Sequence, residues 1–432
     1  MKKNILRSLL NKFGIFRILS KLNSPKITAI IFFLTSSIIK SKKKDAPTMI
    51  YIHKGIGIDD IEAMGKYSNQ INYIVIQSSF LREIFKFFFG SKIYENKNLH
   101  IDYHIDLDIF PVEKKEKYRK FLTDTFLFFE KLAKYDGFIS SNYVYSYLQE
   151  LGRFARNKRK TYVVLYKEGL VSKKFISSFI KRYTNHKFTG TVLLTYNEFI
   201  KQAFIESNID GFNKDNVVSV GMPRLDSYSD LKTRNSHIVF FSFYPSDKFS
   251  YLESEDFFNS DLKDKIKNIS QDFHINVIKY ANQNLDKRLI IKTKFPKRYS
   301  DYIYNIVKQN NLTLSSNISI SNNKSTVFLI RNASAVLGYN STTLTEALIL
   351  NKKIITPDFS SIIPKENDID YFVNYKNVSE TVSSYDELHL SLSSDTKSSK
   401  KAVSQFLKDY ISHNNFQASK KAESEIIRYI NE

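Results

Sequence analysis

Short apolar runs alternate with helical patterns along the chain from residue 48 to residue 357, with one polar interruption at 227–236. The apolar runs predict strands at 49–52, 73–76, 138–140, 162–165, 192–194, 217–220, 237–241, 288–291, 335–337 and 354–355. Helical spacing predicts helices at 80–89, 114–134, 143–156, 198–206 and 343–350. Such alternation is typical of parallel α/β sheets, and the restart after the interruption predicts two Rossmann-like domains, at 46–228 and 237–399. The Ser/Asn-rich stretch 313–326 is predicted to be a surface loop.

The two ends of the chain have patterns of their own. Residues 400–432 predict an amphipathic C-terminal helix. Between residues 6 and 19, apolar residues recur at helical spacing among Lys and Arg, which predicts a basic amphipathic helix. The apolar run 27–39 is too short to cross a bilayer, which needs about 20 residues.

Two interpretations of residues 1–45 follow from this pattern. One is a membrane-associating segment on an anionic membrane surface, which makes the protein cytoplasmic and peripheral on the inner face of the cell membrane. The other is a pair of helices packed on the protein's own surface. No convincing signal-peptide cleavage site is present.

Charge and composition limit the classes of partner and chemistry. The formal net charge is +21, but residues 1–45 hold 11 Lys/Arg and one acid, so the remainder carries about +11 (21 minus 10). That remainder has no zinc-finger spacing and no aromatic RNA-binding signature, so we expect no nucleic-acid partner. The absence of cysteine excludes disulfides, thiolate metal sites and a cysteine nucleophile. Asp106 and Asp108 form a D-x-D pair that is frequent by chance, and we predict neither a metal site nor a cofactor.

The segment 335–359 has the pattern of strand, polar turn, helix and strand. Gly338 allows a sharp turn at the carboxyl end of the strand, where open α/β sheets bind ligands. Hydroxyl side chains and free backbone N–H groups then meet at a helix N-terminus, which suits a phosphate group. Glu346, on the same helical face, is placed to accept hydrogen bonds from a ribose. The candidate nucleotide-sugar-binding residues here are Gly338, Asn340, Ser341, Thr342, Thr343 and Glu346. The alternative is that the hydroxyl groups merely cap a structural helix.

Two loops of the first domain offer carboxylates directly after predicted strands. In the loop after the first strand, two glycines allow close approach of an acceptor, and a helix start follows. Its acceptor-side candidates are His53, Lys54, Gly55 and Gly57. Asp59 and Asp60 are candidate general bases or helix caps, and Glu168, after the strand 162–165, is a candidate acid or base or part of a surface turn.

Two further segments supply positive charge. Arg224 lies in Gly221-Met-Pro-Arg-Leu-Asp226, where a stiff turn presents a bidentate donor for phosphate or carboxylate. Lys292 and Lys294 follow the strand 288–291, with Arg298 nearby. They are candidate donor-phosphate ligands, and the alternative is an ordinary basic loop.

These segments resemble motifs of bacterial GT-B glycosyltransferases, above all of surface-carbohydrate and capsule-polysaccharide families that include Kdo transferases. The 335–359 segment is similar to their G-x-x-S-T-x-x-x-E-A run, and 221–226 is similar to their G-x-P-R-x-D segment. The basic loop departs from the family's K-x-H-P, because Phe295 stands where the histidine is usual.

The resemblance implies a GT-B-like α/β fold with two Rossmann-like domains facing a cleft and the chain's end returning to the first domain. It implies transfer of a sugar from a nucleotide donor, with CMP-Kdo favoured and UDP- or GDP-sugars left open, to a glycan or lipid-linked acceptor in polysaccharide or lipopolysaccharide assembly. A sugar-nucleotide 2-epimerase and a non-catalytic glycan-binding assembly protein are the alternatives.

Overall fold

Two compact units make up the computed structural model. It describes residues 24–53, 57–91, 103–104, 108–169, 186–229, 232–246, 258–339, 341–362, 377–412 and 416–432. The first unit contains the described residues from 24 to 226 together with 411–432, and the second contains those from 227 to 410. Each unit is built around one sheet.

The first sheet has seven strands in the described chain, and all but β1 run parallel. They are β1 (Ser37–Ile39), β2 (Thr48–His53), β3 (Asn72–Gln77), β4 (Gly137–Ser140), β5 (Thr161–Leu165), β6 (Val192–Thr195) and β7 (Val217–Ser219). Their order is β1-β3-β2-β4-β5-β6-β7. From β2 the chain proceeds to β3 on one side and later to β4 on the other, which makes the β2–β4 gap a topological switch point. Ligands of open α/β sheets bind outside the carboxyl ends of the strands at such points.

The second sheet has six parallel strands in the described chain. They are β8 (His237–Phe241), β9 (Leu289–Lys292), β10 (Ile318–Ser321), β11 (Ala333–Gly338), β12 (Lys353–Pro357) and β13 (Glu380–Val382). Their order is β10-β9-β8-β11-β12-β13, so the switch point lies between β8 and β11.

Helices connect parallel strands, as a parallel sheet requires, and further helices precede β1 and follow β13. They are α1 (Pro25–Thr35), α2 (Ile58–Ala63), α3 (Ser78–Phe89), α4 (Val112–Leu132), α5 (Ser146–Asn157), α6 (Glu198–Ile205), α7 (Ser260–Gln283), α8 (Lys297–Gln309), α9 (Thr326–Asn332), α10 (Thr342–Ile349), α11 (Tyr385–Ser393), α12 (Lys400–Ile411) and α13 (Ala418–Asn431). The central strands β5, β6, β8 and β12 are buried along their whole length, which explains their continuous apolar runs. The structure therefore confirms the predicted α/β class with two units, each built on a largely parallel sheet.

Residues 25–39 are an integral part of the first unit. Pro25 begins α1, and the Phe32 ring lies 5.8 Å from that of Phe80 and 6.0 Å from that of Phe126. β1 then pairs antiparallel with β3. The predicted boundary at residue 45 therefore needs correction, because a helix and a strand before it belong to the first unit. Residues 1–23, where the basic amphipathic helix is predicted, lie outside the described residues.

No helix among the described residues is both long enough and apolar enough to cross a membrane.

The prediction of one helix over 400–432 is wrong, because two helices occupy this region. Ser412 and Phe416 have left-handed backbone angles, φ +56° and +55°, which a continuing helix does not tolerate. The second helix, α13, belongs to the first unit. There Glu423 accepts hydrogen bonds from the Tyr73 hydroxyl (2.5 Å) and from the Gln70 backbone N–H (2.6 Å).

The predicted loop at 313–326 is also wrong in part, because it contains β10. Residues 318–321 pair in parallel with β9 along its whole length. This strand lies at one end of the second sheet and is only half-buried, so its short Ile-Ser alternation resembles a polar loop in sequence.

Candidate functional site

The loop after β2 passes close to the switch point of the first sheet. Gly57 has φ +96°, and a Cβ there would lie 3.0 Å from Tyr51 Oη and 3.5 Å from Ser141 Cβ, just beyond β4. Glycine is therefore required both for the backbone angle and for the close approach. His53 ends β2, whereas the predicted acceptor-side residues Lys54 and Gly55 lie outside the described residues.

Asp60, on α2, is buried and both of its carboxylate oxygens accept hydrogen bonds. Oδ1 accepts from the Arg224 backbone N–H (3.0 Å), and Oδ2 accepts from Tyr196 Oη (2.6 Å) and Arg224 Nη1 (3.2 Å). Arg224 Nη1 also donates to Tyr196 Oη (3.0 Å). Burying a carboxylate is costly unless it is paired and hydrogen-bonded, and this network supplies both kinds of contact.

This network joins two residues that the sequence singled out separately. Arg224, predicted to bind the donor nucleotide, belongs to the first unit and pairs with Asp60. Asp60, predicted to be a general base or a helix cap, has both carboxylate oxygens engaged by these partners. The two residues are 164 positions apart, so the sequence pattern could not pair them.

Tyr196, the centre of the network, was not predicted from the sequence. It follows β6 directly, and burial together with the Asp60 charge raises its pKa well above the ordinary value. The phenol therefore stays protonated and donates to Asp60. Its position after a strongly predicted strand was the available signal, but no motif marked it.

Glu168 precedes a glycine that packs against the same tyrosine. A Cβ on the next residue, Gly169, would lie 2.9 Å from the Tyr196 ring and 3.1 Å from Met222 Cε, so the backbone packs closely there. The carbonyl of Gly169 accepts from Asn197 Nδ2 at 3.0 Å, which fixes the loop. The Glu168 side chain is 44% exposed, with Oε1 3.7 Å from Lys167 Nζ. Unlike Asp60, it presents a carboxylate to solvent.

Three of the predicted loops therefore converge in the first unit. The segments after β2, β5 and β7 meet around Tyr196 at the carboxyl ends of the parallel strands. Asp59, also on α2, is exposed, whereas its neighbour Asp60 points inward.

Asp226, the last residue of the 221–226 motif, has a structural role. Its carboxylate accepts from the backbone N–H groups of Ala418 (3.3 Å) and Ser419 (2.7 Å) at the start of α13. A carboxylate is favourable at a helix N-terminus, because it satisfies free N–H groups and interacts with the helix dipole. Burial raises the pKa of Asp226.

In the second unit, β11 and α10 form the turn predicted for a phosphate. A Cβ at Gly338 would lie 3.2 Å from the Phe241 carbonyl oxygen, so a larger residue would crowd the end of β8. Ser341 is the N-cap of α10: its Oγ accepts from the Thr343 N–H (3.4 Å) and from Thr343 Oγ1 (2.9 Å). Thr342 is the first helical residue and is half-buried, and Asn340 lies outside the described residues.

Glu346, predicted to accept hydrogen bonds from a ribose, has a buried side chain. The side chain lies on α10, is 7% exposed, and accepts a hydrogen bond from Tyr228 Oη at 2.7 Å. Tyr228 follows the 221–226 motif and belongs to the second unit, so it connects the start of that unit to α10.

The basic loop after β9 is only partly as predicted. Lys292 Nζ donates to the backbone oxygens of Thr293 (2.8 Å) and Asn322 (2.9 Å), and burial lowers its pKa. Lys294 is exposed, with Nζ 5.2 Å from the centre of the Tyr299 ring. Phe295 is 79% exposed. Lys294 is therefore better placed than Lys292 to meet an anion.

Among the described residues there is no group of three or more His, Asp or Glu side chains suited to a metal ion. Asp106, the first acid of the D-x-D pair, lies outside those residues.

Neither a protein-family model nor a curated protein sequence matches the chain. Solved structures do. A putative UDP-N-acetylglucosamine 2-epimerase from Listeria monocytogenes is 10% identical with a TM-score of 0.51, covering 89% of this chain and 97% of its own. A second structure named UDP-N-acetylglucosamine 2-epimerase is 9% identical with a TM-score of 0.51, covering 90% and 98%. The wall teichoic acid polymerase TagF is 12% identical with a TM-score of 0.48, covering 100% and 98%.

The two epimerase structures show what the chain shares with known proteins. Their likeness extends over almost the whole chain at very low identity, so it establishes the fold. The predicted GT-B-like fold class is confirmed.

Proposed function

We propose that the protein is a GT-B glycosyltransferase that takes a sugar from an activated nucleotide donor. The observation that carries the proposal is the arrangement of β11, Gly338 and α10 at the switch point of the second sheet. An eight-residue helix starts there immediately beyond the carboxyl end of a central strand, with its hydroxyl-rich first turn half-buried. Helix N-termini in this place favour phosphate groups.

The donor site consists of groups with different tasks. The first turn of α10, with Ser341, Thr342 and Thr343, binds the phosphate, and Lys294 adds positive charge from the loop after β9. Glu346, whose carboxylate accepts a hydrogen bond from Tyr228 Oη, is the proposed ligand of a ribose hydroxyl. This neutralisation by a helix N-terminus and a basic side chain supports transfer without a metal ion.

The first unit provides the acceptor site. Glu168, whose side chain is 44% exposed, acts as the general base that deprotonates or orients the acceptor hydroxyl, with Asp59 as the other candidate. Asp60, Arg224 and Tyr196 hold the surrounding loops in place. The acceptor-side residues proposed from the sequence remain His53, Lys54, Gly55 and Gly57.

The acceptor is a glycan or lipid-linked glycan of surface polysaccharide or lipopolysaccharide assembly. This assignment, and CMP-Kdo as the favoured donor, rests on the motif resemblance of residues 221–226 and 335–359.

An anionic membrane surface is the proposed location of the reaction. One side of α1 packs into the first unit, but Ile27, Ile30 and Leu34 on its other side are 39–43% exposed, as is Ile38 of β1 at 48%. The segment 24–44 contains five lysines (Lys26, Lys40, Lys42, Lys43 and Lys44) and no acid. Apolar side chains beside lysines suit insertion at the inner leaflet, where each lysine contributes about 1 kcal/mol of attraction.

The proposed function is tested with purified protein, a panel of CMP-, UDP- and GDP-sugars, and membrane extract as the source of acceptor. Release of nucleotide that depends on the extract is the expected result. Conversion of the sugar nucleotide without any acceptor would indicate an epimerase instead, and binding without conversion would indicate a non-catalytic protein. Ser341→Ala with Thr342→Ala should weaken donor binding by roughly 1.5–3 kcal/mol, measured by calorimetry. Unchanged affinity would make α10 a purely structural helix.

A further inference from the structure

A serine and a histidine outside the predicted site meet at the switch point of the second sheet. Ser242 directly follows β8, and its Oγ lies 2.9 Å from Nε2 of His274 on α7. The residue before it, Phe241, is paired with Gly338 at the end of β11. Ser242 therefore lies beside the turn that we propose binds the donor phosphate.

The hydrogen bonds of His274 determine which partner donates the proton. Nδ1 lies 2.6 Å from the backbone oxygen of Ser270, which can only accept. Nδ1 therefore carries the ring proton, and Nε2 of the neutral ring accepts the hydroxyl proton of Ser242.

Aromatic residues keep this histidine neutral and in place. The ring is fully buried, with the rings of Phe240, Phe243 and Tyr302 centred 4.6, 5.4 and 5.4 Å away. Burial lowers the pKa of His274 to about 4, because the charged form loses its hydration. So weak a base is poorly suited to activating Ser242 as a nucleophile.

What remains for Ser242 is a role as an oriented acceptor. Its backbone N–H donates to the Lys292 carbonyl at 3.0 Å, which fixes the main chain, and its hydroxyl proton is directed to His274. Ser242 is half-buried, and the lone pairs of its oxygen are then the groups that it offers to a ligand. Such an oxygen binds a hydroxyl group and disfavours a phosphate oxygen, which is also an acceptor.

We propose that Ser242, positioned by His274, is a specificity-determining residue that accepts a hydrogen bond from a hydroxyl group of the activated sugar nucleotide. This inference rests on the proposed donor site of the second unit. On this proposal, a residue at the end of β8 contributes to the selection of the donor, together with the groups of α10.

The test compares Ser242→Ala with Ser242→Thr in the full chain, using the sugar nucleotide that the wild type binds tightest in the CMP-, UDP- and GDP-sugar panel. Calorimetry should show that Ser242→Ala binds the sugar nucleotide about 5- to 10-fold more weakly, because one neutral hydrogen bond is lost. Ser242→Thr keeps the hydroxyl group and should largely restore the affinity. Ser334→Ala is the matched control, because Ser334 Oγ bonds the His237 carbonyl at the opposite end of the same pair of strands.

Analogues that each lack one ribose or sugar hydroxyl identify the contact. The wild type and Ser242→Ala should bind one of these analogues with equal affinity, because that analogue lacks the hydroxyl group that Ser242 binds. A Ser242→Ala variant that binds like the wild type, or that loses the same factor for every analogue, would overturn the inference. Absence of sugar-nucleotide binding by both the wild type and Ser334→Ala would instead refute the proposed function.

His274→Phe tests the positioning step. It frees the hydroxyl proton of Ser242, so affinity should fall as in Ser242→Ala, and the double variant should lose nothing further. Additive losses would show that the two residues act separately. If His274→Phe does not fold, the Ser242 pair and the analogues still decide the question.

Discussion

Asp60 is held on both carboxylate oxygens, whereas the adjacent Asp59 is exposed. We therefore expect Asp60→Asn to lower the free energy of unfolding by roughly 1.5–3 kcal/mol, because it leaves the partly buried Arg224 guanidinium without its counter-charge. Asp59→Asn should change it by less than about 0.5 kcal/mol. Denaturant unfolding of both variants measures the difference, and equal values would contradict the assigned network.

Glu168 should show the opposite behaviour. Glu168→Gln keeps the size of a half-exposed side chain, so stability should hardly change, but loss of a general base lowers turnover by about 10²–10⁴-fold. Donor affinity should stay the same, because the donor site lies in the other unit. If Glu168→Gln retains turnover and Asp59→Asn loses it, Asp59 is the base. Normal turnover in both variants would place the base elsewhere.

His274 gives the second unit a predictable response to acid. Its pKa is about 4 in the fold and about 6.5 in the unfolded chain, so the unfolded state binds the proton first. The stability contributed by the neutral ring is present above pH 6.5 and is lost as the pH falls towards 4. His274→Phe should flatten the unfolding free energy of the second unit over that range, and an unchanged pH profile would mean that His274 is not the responsible group.

The helix α1 has two faces with different tasks. Ile30 and Leu34 are exposed, whereas Phe32 is packed against Phe80 and Phe126. Ile30→Glu with Leu34→Glu should abolish sedimentation with vesicles containing phosphatidylglycerol and leave the melting temperature unchanged. If the wild type sediments equally with neutral phosphatidylcholine vesicles, the lysines do not contribute to membrane binding. If the variant still sediments with anionic vesicles, the exposed apolar face does not contribute.

A deletion of residues 1–44 is a poorer test of membrane attachment. Such a deletion removes α1 and β1, which belong to the first unit. Loss of the Phe32 contacts alone is expected to cost about 3–5 kcal/mol. Point changes on the exposed face separate binding from folding, and the deletion does not.

The pattern of apolar residues predicted the central strands well, but it did not predict the helices α7 and α8 or the short strands at the ends of the sheets. β8 was predicted with its observed bounds, because a fully buried parallel strand is a continuous apolar run. β1 and β10 were missed, because a short strand at the end of a sheet is stabilised by one neighbour rather than by its own sequence. Strand ends supplied the candidate residues, but the partners of Asp60 and Glu346 depend on contacts that no local pattern contains.

At the scale of the whole molecule, the chain leaves the first unit at 226–227 and returns to it near residue 411. The return is fixed by Asp226 at the start of α13 and by Glu423 against Tyr73. Removing residues 412–432 should therefore destabilise the first unit and leave donor binding by the second unit intact. Hydrogen exchange in β3 should accelerate in the truncated protein, while β8 and β11 keep their protection. Equal acceleration in both sheets would contradict this assignment.

β1 also determines what the first sheet presents to other molecules. It is only three residues long and antiparallel, covers the outer side of β3, and is followed by Lys40 and Lys42–Lys44. Without it, the stretch of β3 that pairs with β1, residues 73–75, would expose unpaired N–H and C=O groups, to which a strand of another chain can add. The lysines after β1 repel such additions between copies. A preparation clipped by a protease between β1 and β2 is therefore expected to aggregate through β3, even where its sugar-binding chemistry is intact.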